Sequence, residues 1–590
     1  MRLLKILKSY WWQLLLIVVF VYFQVMANLE LPNYMAKIID TGIMNKDMGS
    51  IQYNGLIMLG ISLVGGICAV IVGLFASKVA TGIARDIRQK VFSKVESFSI
   101  SEFDKFSTAS LITRSTNDVQ QIQLATVMML RMVLMAPFMA IGALQKAIEN
   151  APSMSWIIAL GTIMMLIMIV VLFILVMPKF QFVQKLVDRL NLVTRENLTG
   201  IRVVRAFNKE KYEEKKFNEV NLDITKLNLF VNRAMVMLQP VMTLIMSMSI
   251  IAIIWYGGHL ISDGSIEIGN MMAFMQYAIQ VIMSFLMISV IFILLPRAMV
   301  SVKRVLEVIR TTPSIVDPEK PIDFSSNVKG RINFKDVTFT YPGADLPVLD
   351  RVNFSAEPGQ TTAFIGSTGS GKSTIINLIP RFYDVSSGQI LIDGIDVRDI
   401  KLKDLYKNIG YVPQKGMLFS GTVKSNIIYG NKKASSKQIT RYAKVAQASE
   451  FIKNLTGKFD SQIAQGGSNV SGGQKQRLSI ARALAVNPKI YIFDDSFSSL
   501  DLKTDSQLRK ALLNETKDKT VLIVGQRIST IMDADKIIVL DKGKIVGQGT
   551  HDQLIKNNEI YREIAYSQLS ESELKSMHHT EVKKVANNHE

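Results

Sequence analysis

Six nearly continuous apolar runs divide the first half of the chain, at residues 11–32, 55–76, 126–147, 156–177, 234–260 and 271–295. Each is close to the ~20 residues that carry an α-helix across a bilayer. The polar segments between them alternate in character. The second-to-third connection holds Lys78, Arg85, Arg88, Lys90, Lys94, Lys105 and Arg114, and the fourth-to-fifth runs from Lys179 through Arg189, Arg202 and Lys211 to Arg233. On the other side, Lys37 and Lys46 are offset by Asp40 and Asp47, and the turn near Asp263 and Glu267 has no cation. Because cytoplasmic loops are enriched in Lys and Arg, this pattern predicts both chain ends and the two long loops on the cytoplasmic face. Residues 1–8 alternate basic and apolar side chains. They predict a short interfacial helix rather than a cleaved signal, since the apolar run after them is too long and no small-residue cleavage site follows.

From about residue 330 the pattern changes to short β-branched runs, turns and charged helical stretches. The expected division is a membrane domain at 1–310, a linker at 311–330, a second domain at 331–567 and a polar tail at 568–590. The tail composition, with His578, His579, Lys583 and Lys584, reads as disordered. Composition agrees with a two-part chain: 48% of the 590 residues are hydrophobic and 20% charged, with a mean hydropathy of +0.24. That excludes a disordered or fibrous protein. One cysteine, Cys68, excludes an internal disulfide framework and a cysteine-cluster metal site. The net charge of +19 would ordinarily suggest nucleic acid, but it splits nearly evenly at residue 325, so no basic module stands out and no nucleic-acid partner is expected.

Three patterns in the second domain carry chemistry. A strand at residues 362–365 leads into Gly366, Ser367, Thr368, Gly369, Ser370, Gly371, Lys372, Ser373 and Thr374, and an apolar helix follows. Strand, glycine-rich loop and helix start form a phosphate cradle. Backbone N–H groups and the helix dipole face the phosphates, Lys372 reaches the outer ones, and Ser373 helps hold Mg²⁺. A second apolar strand ends in Asp494, a position suited to the same Mg²⁺. Between them Ser471, Gly472, Gly473 and Gln474 open another helix, a second anion-binding geometry. One nucleotide has no use for it, so it is expected to serve a nucleotide held by another copy of the fold. The fold expected is a membrane all-α domain of six transmembrane helices with long cytoplasmic extensions, followed by an α/β P-loop nucleotide-binding domain.

With these residues in place the chain resembles the ATP-binding-cassette superfamily, specifically an exporter half-transporter of the multidrug type. The resemblance implies that Tyr341 stacks on adenine and that residues 366–374 are the Walker A loop. It makes Asp494 the Walker B carboxylate and Gln414 the glutamine-loop contact to Mg²⁺ and the membrane domain. Ser471–Gln474 is similar to the signature turn, with Val470 where Leu is usual, and Asp501 lies in the dimer-contact loop. In the first half, Phe103, Asp104, Leu111, Arg114 and Asp118 resemble the first intracellular loop, and the stretch from Glu196 to Phe207 resembles the second. Each loop is expected to press a short transverse helix into the nucleotide domain. ATP and Mg²⁺ are the cofactors implied.

Two positions depart from that family. Where it has Glu after the Mg²⁺ aspartate, this chain has Asp495. One methylene fewer withdraws the carboxylate by about 1.5 Å, and misplacement by about 1 Å can cost ~100-fold in rate. Where the family has a switch histidine, this chain has Gln526, and no histidine occurs between His259 and His551. Gln526 can hydrogen-bond a γ-phosphate but cannot take a proton. Beside these two catalytic changes, Gln465 before the signature turn is a further departure. Asp495 and Gln526 together predict slow hydrolysis at this chain's own cradle. A partner half-transporter that keeps Glu and His would borrow the intact signature turn, as in bacterial heterodimeric exporters with one degenerate site. The alternatives are a homodimeric lipid flippase and a regulatory subunit that uses ATP structurally. Methionines cluster in the third and sixth spans, Gln276 and Gln280 lie a turn apart in the sixth, and Arg131 lies just inside the third. A hydrophobic or amphipathic cargo, drug or lipid, in contact with membrane lipids is the expectation.

Overall fold

The computed structural model describes residues 8–324 and 328–568, so the start of the expected interfacial helix and the histidine-containing tail lie outside the described residues. The chain divides into two compact units, one of residues 1–96 and 108–311, the other of residues 97–107 and 312–590.

The first unit is all helix. Its main helices are α1 (Trp11–Lys37), α2 (Met48–Glu96), α4 (Thr108–Ser115), α5 (Asn117–Met128), α6 (Leu134–Asn150), α7 (Ser155–Thr199), α8 (Ile201–Ala206), α9 (Glu210–Val236), α10 (Leu238–Ser262) and α11 (Ile268–Arg310). Among the described residues, six helical stretches are long and apolar enough to cross a membrane. The 49 residues of α2 reach about 70 Å at a rise of 1.5 Å each, far beyond a hydrocarbon core of about 30 Å.

Small residues let the helices approach. The buried face of α2 runs through Cys68, Val72, Ala76, Val79, Ala80, Ile83, Ala84, Ile87 and Val91, and Gly65 packs on Ala27 of α1. Between α5 and α6 the chain takes a π-turn, Met129–Val133. Pro137 accounts for it: its ring nitrogen has no hydrogen to donate to Val133, so the regular ladder fails there. Arg131 occupies this turn and is exposed.

Polar side chains tie the spans together at two levels. At one, Lys146 of α6 pairs with Glu30 of α1 at 2.8 Å. The Tyr277 hydroxyl of α11 lies 2.9 Å from the Leu29 carbonyl and 2.8 Å from Asn33 Oδ1, which also accepts from Asn150. At the other, the buried carboxylate of Asp118 on α5 accepts from Ser301 Oγ at 2.9 Å and faces Arg304 at 3.3 Å, both on α11. Arg114 of α4 donates to the Arg304 carbonyl and to Glu307.

The second unit is α/β. Four strands, β1 (Ile332–Phe339), β2 (Leu349–Ala356), β4 (Ser387–Ile392) and β5 (Ile395–Asp396), form an antiparallel sheet in the order β2-β1-β4-β5, β7 (Gly421–Thr422) and β8 (Gln462–Ile463) pair with each other, and six more strands form a larger sheet. In the larger sheet β3 (Thr361–Gly366), β6 (Ile409–Val412), β9 (Ile490–Asp494), β10 (Thr520–Val524) and β11 (Lys536–Asp541) are parallel, β12 (Lys544–Gly549) is the antiparallel edge, and the order is β12-β11-β3-β10-β9-β6. Every residue of β9 and β10 is buried, as a sheet covered on both faces requires. Parallel pairing of β3, β10 and β9 brings Gly366, Asp494 and Gly525 to one edge, outside the carboxyl ends of the strands, where open α/β sheets bind ligands.

The short helix α3 (Ile100–Phe106) belongs to this second unit although it lies between α2 and α4 in sequence. Glu102 explains its attachment. The carboxylate closes a capping box on Ser99 and accepts from the Ser314 backbone N–H at 3.1 Å, while Asp104 accepts from the Tyr383 hydroxyl at 3.4 Å. The corresponding short helix of the other loop, α8, groups with the first unit. Near it Val203 and Phe207 are 60% and 71% exposed. The expectation of a short loop helix folded with the nucleotide unit is therefore met by the first loop.

Candidate nucleotide site

The glycine-rich loop leaves β3 at Gly366 and enters α12 (Lys372–Leu378) at Gly371. Gly371 has φ +100, and a Cβ there would lie 2.6 Å from Leu349 Cδ2, so only glycine fits both the backbone and the space. Ser367, Thr368 and Gly369 form the exposed tip, while Ser370 is buried beneath them. The Lys372 ammonium donates to the carbonyls of Gly366 and Ser367 at 2.9 and 2.7 Å. Burial pushes its pKa below the ordinary lysine range, against the opposing pull of Asp495 and Asp494. The Tyr341 hydroxyl lies 3.1 Å from Thr374 Oγ1, and its ring meets Phe339 and Tyr383 edge-on. An aromatic side chain therefore flanks the loop.

Asp494 ends β9, and its Oδ1 accepts from Ser373 Oγ at 3.1 Å. Burial raises its pKa, the Ser373 hydrogen bond opposes this, and the neighbouring Asp495 adds to it. A hydroxyl and a carboxylate at this spacing, beside a second buried carboxylate, are hard oxygen donors with excess negative charge. Mg²⁺ typically takes one or two such ligands and completes its shell with phosphate and water. The residues fit that ion.

Asp495 follows in a left-handed backbone conformation, φ +46, uncommon for a residue with a side chain. Its Oδ2 accepts two amide hydrogens, from Gln414 Nε2 at 3.0 Å and from Gln526 Nε2 at 2.8 Å. Burial raises its pKa, with the Gln414 bond, Ser498, Lys372 and Arg527 opposing. Gln414 and Gln526 thus meet on one oxygen of Asp495.

Ser471 is the N-cap of the helix Gly472–Val486. Its hydroxyl accepts from the Gln474 backbone, and the Gln474 side chain accepts from the Ser471 backbone, a closed capping box. Ser471 and Gly472 are exposed, and Gly473 lies against the Ser499 carbonyl. Asp501 caps the next helix, Leu502–Glu515, by accepting from Thr504 N–H at 2.9 Å, and that bond holds its carboxyl below the ordinary range.

Sequence reasoning missed two participants. Gln476 donates to the Pro413 carbonyl at 2.9 Å, fastening the signature helix to the segment that carries Gln414. Gln568 bonds the backbone on both sides of Arg527. The first was within reach, as a glutamine one turn into a helix beside a known loop; the second had no local signal.

The membrane half matches the ABC transporter transmembrane region over residues 14–285, and the second half the ABC transporter domain over 349–498. An uncharacterized ABC transporter ATP-binding protein of Mycobacterium tuberculosis is 39% identical over 546 residues, covering 92% of this chain and 94% of the relative. This chain belongs to the ABC transporters. An ABC transporter ATP-binding protein of Bacillus subtilis, YfiB, is 38% identical over 92% of this chain and 94% of its own length. An ATP-dependent lipid A-core flippase of Syntrophus aciditrophicus is 32% identical, over 91% of this chain and 89% of its own. A solved bacterial Atm1-family ABC exporter with ATP bound superposes with a TM-score of 0.80 at 22% identity, covering 96% of this chain and 99% of that one. The ABC chain described here therefore has the exporter fold, one membrane domain and one nucleotide domain, and is a multi-pass membrane half-transporter. Its nucleotide domain is of the kind that binds ATP and couples hydrolysis to transport.

Proposed function

We propose that this half-transporter is the degenerate-site subunit of a heterodimeric ABC exporter that moves hydrophobic or amphipathic compounds out of a bacterial cell, with both chain ends cytoplasmic. The observation that carries this reading is the Asp495 carboxylate, engaged on one oxygen by the amides of Gln414 and Gln526. A general base must offer its oxygen to the attacking water. Here two amide donors occupy that oxygen, so it is not free for a water even though burial raises the carboxyl's pKa, and Gln526 has no proton to relay.

The rest of the cradle is equipped to bind. Backbone N–H groups of residues 366–374 and the Lys372 ammonium neutralise the phosphates, and Tyr341 offers a ring to the base. Ser373, Asp494 and the Gln414 side-chain oxygen would hold Mg²⁺, which when bound supplies charge neutralisation of the phosphates. The pre-formed turn Ser471–Gln474, with Ser471 and Gly472 exposed, completes the partner's site, and Asp501 lies at the same contact. ATP held at the degenerate site biases the pair toward the closed arrangement by population shift.

The test is to purify the full chain alone and with the subunit that co-purifies in mild detergent, and to measure phosphate release. Little activity alone and robust activity together supports the reading. Robust activity alone, abolished by Asp495→Ala, overturns it and favours the second reading, a homodimeric lipid flippase, which the 32% identity to a lipid A-core flippase supports.

A further inference from the structure

The loop between β10 and the short helix Ile528–Ile531 is only Gly525, Gln526 and Arg527, yet it aims the Gln526 amide at Asp495. Its backbone is outside the parallel ladder, so its position depends on a few individual hydrogen bonds. Gly525 N–H donates to the Phe364 carbonyl at 3.0 Å, and the Arg527 guanidinium reaches the Ser498 carbonyl at 3.4 Å. The Thr530 N–H donates to the Arg527 carbonyl at 3.1 Å, and two more bonds come from one side chain. Gln568 Nε2 donates to the Gln526 carbonyl at 2.9 Å, and Gln568 Oε1 accepts from the Ile528 N–H at 2.9 Å. A primary amide that faces a carbonyl and an N–H together can satisfy both in only one orientation.

Gln568 is itself held. It follows the helix Glu559–Tyr566, whose Tyr561 and Ala565 are fully buried. Tyr561 bonds His551 Nδ1 at 2.7 Å, and Gln568 N–H donates to the Ala565 carbonyl at 3.1 Å. The helix Glu559–Tyr566, anchored by its buried Tyr561 and Ala565, therefore presents a two-pronged amide to the loop that carries Gln526.

We propose that Gln568 is a positioning residue that sets the Gln526 amide against Asp495 and the phosphate side of this chain's nucleotide site. Gln568 does not touch the nucleotide; it acts through Gln526. The proposal rests on the reading that Gln526 belongs to the ATP site.

The experiment uses the full-length chain in detergent. It measures release of a fluorescent ATP analogue and, in parallel, hydrogen exchange at the Ile528 amide. Gln568→Ala removes both bonds and should speed release ~5-fold and Ile528 exchange ~10-fold, the scale of one or two lost hydrogen bonds. Gln568→Glu keeps the acceptor for Ile528 and should restore slow exchange while leaving release faster than wild type. In a Gln526→Ala background, Gln568→Ala should change release no further, because the pair acts as a unit. Unchanged release and exchange in Gln568→Ala, or an equal effect with and without Gln526, overturns the proposal. Should Gln568→Ala fail to fold, Gln568→Glu decides alone: release as slow as wild type overturns it. Should Gln526→Ala by itself leave release unchanged, the reading of Gln526 has failed, and Ile528 exchange then judges the clamp: faster in Gln568→Ala supports it, unchanged overturns it.

Discussion

On the proposed degenerate-site reading, replacing Asp495 by Glu and Gln526 by His together should awaken this chain's own site. In the wild type, Asp495 Oδ2 sits 3.0 Å from one amide nitrogen and 2.8 Å from another, so the carboxylate is spent on glutamines. Asp495→Glu extends it by about 1.5 Å and, with Gln526 still competing for it, should recover about 10-fold, less than the ~100-fold that about 1 Å of placement can be worth. Adding Gln526→His removes that competing donor and supplies a group that titrates near neutrality, so Asp495→Glu/Gln526→His should gain ~100-fold, the lower end of what a positioned acid or base contributes. The assay is orthovanadate trapping of an azido-ATP label on this chain, resolved by gel from any co-purified subunit, because trapping needs turnover at the labelled site. A double variant that binds nucleotide like wild type yet traps no faster would refute the assignment of these two residues as the cause of slow hydrolysis.

Gly371→Ala places a Cβ against Leu349 at a φ of +100 and should cost about 1–3 kcal/mol, read as a lower melting temperature together with loss of fluorescent ATP binding. Glu102→Ala should detach α3: it leaves the Ser314 and Ser99 N–H groups unpartnered at about 1–3 kcal/mol, seen as faster exchange across residues 97–107. Burial alone would raise the Glu102 pKa, but the hydrogen bonds from Ser99 and Ser314 override it and hold the carboxyl below its ordinary 4.5. Its contribution is therefore complete above pH 4.5 and fades as pH falls below that, a dependence Glu102→Gln should flatten in urea titrations. His551 is the opposite case, a buried imidazole with its pKa lowered from 6.5 by burial. The unfolded chain takes its proton first as pH drops below 6.5, so stability present above that pH falls with acidification, and His551→Leu should remove that slope.

The bilayer makes the membrane half readable, because its thickness dictates the length of every apolar run: each of the six expected spans overlaps a helical stretch long and apolar enough to cross, the third running over the π-turn and the fifth over a one-residue break at Met237. The ends of β3 and β9 were readable for a related reason. Short apolar strands, with four buried residues in β3 and five in β9, lead to the sheet edge at Gly366 and Asp494, so both announce themselves. What escaped the sequence depends on pairs far apart along it. Asp495 meets Gln414 and Gln526 across separations of 81 and 31 residues, and the sequence marks both positions as unusual without saying that they share an oxygen. The attachment of α3 turns on one buried glutamate reaching Ser314, 212 residues on, which no local periodicity encodes. Gln568, a polar residue at a helix end, looks like any solvated surface amide until its partners are seen.

Because residues 97–107 are folded into the second unit while their neighbours on both sides belong to the first, the backbone passes between the units three times rather than once. A protease cut within 311–330 therefore severs one strand of a three-stranded tether. The nicked chain should still migrate as one species in detergent, its nucleotide unit leaving only when α3 is also undocked. The loop helix is a rivet as well as a contact, and the linker alone does not hold the transporter's two halves together.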